Sequence, residues 1–161
     1  MNRKALSTTV LACLLTALFA VGTLADEFSF FSPIVGSNPG ITIATVPSGG
    51  LPWTVRHGVG VLTDDGRIRL EVRGLILPAF GNTGPVTQVD ASVVCGGVVA
   101  ATSKSVNIET DGDFQLHDKL SLPSPCLGAI ILVRVSGTAV GAVPNGPWIA
   151  ASGTIKDADD K

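Results

Sequence analysis

Past its first 25 residues the 161-residue chain has no apolar repeat of helical period longer than one turn, no excess of positive charge, and no short signature of a nucleophile or bound cofactor. Each absence excludes something. Without a three-to-four-residue repeat there is no amphipathic helix to build a bundle or to cover a parallel sheet. A formal charge of −2 supplies no field to draw a phosphate backbone, so nucleic acid is not an expected partner. G-x-S-x-G, a Walker loop, H-E-x-x-H and a helix-opening G-x-G-x-x-G are all missing, which removes common routes to acyl transfer, nucleotide binding and zinc hydrolysis. No cofactor is expected. Only His57 and His117 are available as neutral-pH bases or imidazole ligands.

What is present begins with a leader. Arg3 and Lys4 precede an almost uncharged run from Leu6 to Leu24, and Thr23-Leu24-Ala25 ends in a small residue ahead of Asp26. A basic start, an apolar body and a small-residue cleavage site describe a signal peptide over residues 1–25, cut after Ala25. Two alternatives stand beside it. The run is nearly long enough for an uncleaved anchor, although Ser7, Thr8, Thr9 and Thr16 dilute it. "VLAC" loosely resembles a lipobox at Cys13, although most of the apolar segment follows that cysteine. Cleavage removes Arg3 and Lys4 and no acid, which takes the formal charge from −2 to −4. The expected product is a secreted, periplasmic or extracellular protein with no stable membrane span, a domain over residues 26–156 and a charged tail over 157–161.

Three cysteines would leave an odd thiol in an oxidising compartment, but Cys13 departs with the leader and Cys95 and Cys126 remain to pair. A catalytic thiol needs a base or an electropositive pocket. "VVCGGVV" and "PSPCLG" supply neither, and no C-x-x-C or nearby histidine completes a metal pair.

Nineteen glycines and ten prolines spread along the chain punctuate short elements. "ITIATV" (Ile41 to Val46) reads as a strand. From Trp53 to Leu62 the apolar residues Trp53, Val55, Val59 and Val61 hold odd positions, which predicts an odd-numbered buried face that His57 would share. "TDDG" reads as a hairpin turn. In the next strand Ile68, Leu70 and Val72 point one way and Arg67, Arg69, Glu71 and Arg73 the other, the clearest alternation in the chain. Val89, Ala91, Val93 and Cys95 alternate with polar residues, and Phe114, Leu116, Leu120 and Leu122 share a parity that leaves Gln115, His117 and Lys119 outside. "AIILVRV" (Ala129 to Val135) is apolar on both parities, as a central strand is. Seven to nine short strands and one disulfide predict an all-β chain: a two-sheet antiparallel β-sandwich, immunoglobulin-like or another Greek key. Trp53 precedes both cysteines, so the Cys, Trp, Cys order of true immunoglobulin domains is absent.

Candidate binding residues follow from this strand reading. Arg67, Arg69 and Arg73 share one face, but residues two apart on a strand lie roughly 6.6–6.8 Å from each other, so the three cannot converge on one small anion without help from a neighbouring strand. A charged outer face also protects against edge pairing. Trp53 and Trp148, each beside a proline, present either an aromatic contact surface or plugs for the core. No metal site is expected. The weak candidates are His57 with His117 and a carboxylate such as Asp90 or Asp118, and a calcium loop at Asp111-Gly112-Asp113 with Glu109, which turn chemistry explains equally well.

"GVGVLTDDGRIRLEVRGL" followed by "GPVTQVDASV" resembles the strand pattern of the CHRD (chordin-type) domain, which also occurs in secreted bacterial proteins. The likeness covers Gly58 to Val94, with a fainter echo in "PNGPWIAASGTI". Where that family usually carries His-x-His after "GPVT", this chain has Asp90-Ala91-Ser92, so a site built on those histidines does not carry over. The resemblance implies an extracellular β domain with no established catalytic role.

These readings describe an exported, non-enzymatic domain that serves as a binding or structural module for an envelope or extracellular ligand. The competing classes are a metal-binding or hydrolytic secreted enzyme using His57 and His117, and a carbohydrate or peptide binder using Trp53, Trp148 and the arginine face.

Overall fold

The computed structural model describes residues 29–153. The expected leader, its cut after Ala25, Cys13 and the 157–161 tail lie outside the described residues. Among those described there is no helix, and twelve strands occur: β1 (Ser29–Gly36), β2 (Thr42–Ile43), β3 (Val46–Pro47), β4 (His57–Thr63), β5 (Arg67–Arg73), β6 (Val86–Cys95), β7 (Val98–Thr102), β8 (Val106–Asn107), β9 (Phe114–Lys119), β10 (Ile130–Thr138), β11 (Gly141–Ala142) and β12 (Trp148–Ser152). The excess over the expected seven to nine comes from two-residue strands, which have no period for a sequence to display.

Two separate sheets were the expectation. The all-β, antiparallel class holds: the strands form one curled ten-stranded sheet in the order β7-β6-β10-β12-β1-β4-β5-β9, with β8 on β6 and β11 on β10, plus the small β2–β3 sheet. Every ladder between named strands is antiparallel. Strand β1 makes the ladder continuous. Its first part, Ser29 to Pro33, pairs with β4, and its second, Ile34 to Gly36, pairs with β12. Pro33 sits at the changeover, where its carbonyl accepts the Gly153 N–H at 3.1 Å and its ring offers no N–H in return.

Curling brings the two halves of the sheet around one core. Ile68, Leu70, Val72, Phe114 and Leu116 from one half pack in the same cluster as Val89, Ala91, Val93, Ile131 and Val133 from the other. The alternation in β5 holds: Ile68, Leu70 and Val72 are buried, and Arg67, Arg69 and Arg73 are exposed. Strand β10 lies between β6 and β12 and is buried on both faces from Ile131 to Val135. On its outer side a second cluster joins Leu132, Val94, Trp148 and Ala151 to Val46 of the β2–β3 hairpin.

Two readings need correction. Strand β4 starts at His57, and its inward residues are even-numbered: Gly60 and Leu62 are buried, whereas Val59 and Val61 are only half-buried and His57 is exposed. Glycine explains the reversal. A Cβ at Gly58 would press to 2.8 Å on Ile34 Cβ, and one at Gly60 would crowd Leu70 and Ile131, so the strand is drawn tightly onto the core at positions that carry no hydrophobic signal. The other correction is "ITIATV", which is not one strand but a hairpin. Ala44 and Thr45 both take positive φ, 48° and 68°, and reverse the chain between Ile43 and Val46.

The curl is stitched where the β9 edge meets the β7–β8 connection. Asp118 accepts the backbone N–H of Lys104 at 2.8 Å and of Lys119 at 2.8 Å. These two bonds, that from Lys104 first, hold its carboxyl below the ordinary 3.8. A folded value below the unfolded one means that the contribution is full above the unfolded pKa and is lost as pH falls through the folded one. In thermal melts below about pH 4, Asp118→Asn is therefore expected to show a shallower fall in midpoint than the wild type. Superimposable pH profiles would show that the carboxylate does not bear on closure.

Candidate functional site

The outer face of β4, β5 and β9 gathers the cations. Register places Arg67 opposite Lys119, Arg69 opposite His117, Glu71 opposite Gln115, and Arg73 opposite His57. Directly paired residues of antiparallel strands project to the same side, so β9 supplies the neighbouring-strand groups that the arginine row lacks by itself. An open depression of about 510 Å³ lies here, lined by Val61, Thr63, Arg67, Arg69, His117 and Lys119.

Charge along the row is unevenly compensated. Asp65 Oδ2 lies 3.2 Å from Arg67 Nε and 3.5 Å from Lys119 Nζ, relieving the repulsion of two like charges set across the ladder. Thr63's hydroxyl donates to Asp65, and with the Arg67 backbone N–H and the two cations it keeps the Asp65 carboxyl low. Arg73 pairs with Glu71 at 3.2 Å. Arg69 takes part in none of the ion pairs found among the described residues, so its guanidinium is the uncommitted cation at the centre of the row.

The histidines are on this face but apart. His57 pairs with Arg73 and His117 with Arg69, four residues away along β5 and two strand spacings across, roughly 16 Å. Among the described residues no three His, Cys, Asp or Glu side chains gather to hold a metal ion. The Asp111–Asp113 segment is engaged in its turn. Asp111 accepts the Asp113 N–H at 3.2 Å, and Asp113 accepts the Gly74 N–H at 2.8 Å and faces Arg56 at 3.8 Å. Glu109 closes the same turn through its backbone, accepting the Gly112 N–H at 2.9 Å.

Trp53 and Trp148 are core side chains, 6% and 4% exposed, so they form no aromatic contact surface. Phe31 on β1, 67% exposed, lies one strand beyond Val61 from Arg69 on the same outer face. The sequence carries no signal for it, since Phe30 and Phe31 are adjacent and equally apolar. Cys95 and Cys126 are joined with a Cα–Cα distance of 4.9 Å.

A second polar group that sequence reading passed over lies on the outer side of β6, β10 and β12. Arg134 is 6% exposed; its Nε donates to the Gly146 carbonyl at 2.9 Å and its Nη1 to Ser92 Oγ at 3.2 Å. Asp90 sits opposite it across the ladder. Burial pushes the Asp90 carboxyl up and the Arg134 charge opposes this, and Asp90 Oδ1 has no hydrogen-bond partner among the described residues. The only signal in the sequence was a lone cation inside "AIILVRV".

No helix among the described residues is long and apolar enough to cross a membrane. A scan against protein-family models finds no match for the chain, and searches of curated proteins and of solved structures find none either.

Proposed function

We propose that the protein is an exported, non-enzymatic β domain that presents the β4–β5–β9 face to a ligand in the envelope or the medium. The observation that carries this reading is Arg69: an exposed, uncommitted guanidinium beside His117 on a strand whose opposite face is fully packed. A rigid strand fixes such a group at little entropic cost to binding. Export is supported by the basic, apolar and small-residue order of residues 1–25 and by the pairing of the two cysteines that remain after it. We read the curl as a two-layer sandwich in which β1 passes from one layer to the other. The CHRD-like stretch, Gly58 to Val94, spans β4 to β6, and its extracellular, non-catalytic character agrees with this reading. The roughly 16 Å between His57 and His117 removes the dyad that the enzymatic alternative needed.

Incubation with ester, glycoside and peptide libraries is expected to give no turnover above buffer. Turnover abolished by one point substitution would overturn the proposal. The same proposal expects the protein outside the cytoplasm, with an N-terminus at Asp26.

A further inference from the structure

The arginine face continues across β4 onto β1. Phe31 lies opposite Val61, Val61 opposite Arg69, and Arg69 opposite His117, so four strands each place one outward side chain on a single rung. At about 4.8 Å per strand the rung is about 14 Å long. One end is apolar, with Phe31 standing in solvent and Val61 half-buried beside it. The other end is cationic, and the next rung sets Glu71 and Gln115 alongside as hydrogen-bond acceptors. A bare ring, a free guanidinium and flanking acceptors along one line match a ligand that is itself linear, apolar on one side, anionic at intervals and rich in hydroxyl groups.

We propose that this rung binds an acidic glycan. A sugar ring lays its apolar face on Phe31 and Val61, a carboxylate or sulfate group of the chain pairs with Arg69 and His117, and ring hydroxyls donate to Glu71 and Gln115. This rests on the reading that the β4–β5–β9 face is the binding surface, and it names the class of ligand. Arg69 suits the role because guanidinium meets carboxylate or sulfate oxygens with two parallel N–H donors. Charge distribution favours a thin chain over an anionic lipid surface. Glu71 sits within the cationic field, and the protein as a whole is acidic, so a broad anionic plane meets repulsion that a single polymer strand avoids.

Titration calorimetry of the purified protein with oligomers of polygalacturonate and dextran sulfate, against neutral dextran oligomers and phosphatidylglycerol vesicles, tests the inference. Binding to at least one acidic oligomer is expected, with none to neutral dextran. Arg69→Gln should weaken it about tenfold or more, as loss of a charge-assisted pair does. Phe31→Ser should weaken it severalfold with the salt dependence unchanged. Absence of binding to both acidic oligomers overturns the inference, as does binding that Phe31→Ser leaves unaltered, which is plain ion exchange, or vesicle binding as tight as glycan binding. Capture of a neutral glycan or a peptide that Arg69→Gln abolishes would retain the face as the binding surface and sink the acidic-glycan assignment alone.

Discussion

Replacing Arg134 with alanine is expected to destabilise the protein by about 3–5 kcal/mol, because it strands the groups that a buried cation serves. The Gly146 carbonyl loses the N–H at 2.9 Å and Ser92 loses the N–H at 3.2 Å. Asp90, half-buried, raised by burial and eased by the Arg134 charge, loses that compensation. Asp90→Asn in the same background should restore part of the loss, since the amide carries no charge to desolvate. Urea denaturation of the two single variants and the double variant measures this directly. Strictly additive losses would show that the Asp90 and Arg134 charges are independent. A midpoint for Arg134→Ala within error of the wild type would show that water replaces the guanidinium without cost.

Removal of the disulfide by Cys95→Ala with Cys126→Ala is expected to cost about 3–4 kcal/mol on the chain-entropy account, for a closed loop set by a sequence separation of 31. That is a large share of the 5–15 kcal/mol typical of a domain. The bond joins the end of β6 to the connection leading into β10, and the Gly96 N–H reaches the Leu127 carbonyl at 2.7 Å beside it. Phe30, Leu62, Leu122, Cys126 and Ala129 border an opening of about 210 Å³ at that end of the core. Freed from its tether, the connection should exchange amide hydrogens far faster than β6 and β10. A loss below about 1 kcal/mol would mean that backbone bonds such as Gly96 to Leu127 already confine the unlinked chain.

The sequence made most of the all-β architecture legible, for a local reason. Strand β5 was readable because its inward and outward residues alternate within seven positions, and β10 because a run apolar on both parities belongs at the centre of a sheet. The inward face of β4 was hidden because glycines occupy it, and a missing side chain leaves no mark in a hydrophobic pattern. The β2–β3 hairpin was hidden because Ala44 and Thr45 take left-handed conformations that Asn or Gly would have signalled.

The candidate site was half visible. The three arginines announce themselves along the chain, but their value depends on partners that only register supplies: His117 and Lys119 from β9, and Phe31 from β1 by way of Val61. Register between strands far apart in sequence is fixed by the curl of the whole sheet, which no local pattern encodes. The tryptophans show the converse. Beside a proline at a strand start each ring could serve as a contact surface or as a core plug, and the plug reading holds because a large apolar ring gains more by filling the core.

Backbone amide shifts of the isotopically labelled protein, followed while polygalacturonate or dextran sulfate oligomers are added, test most directly the claim that ligands meet the β4–β5–β9 face. Shifts centred on Arg69, His117, Val61 and Phe31, with the amides around Arg134 and Trp148 unmoved, are the predicted result. Perturbation centred on the outer side of β6, β10 and β12, or none at saturating oligomer, would contradict it.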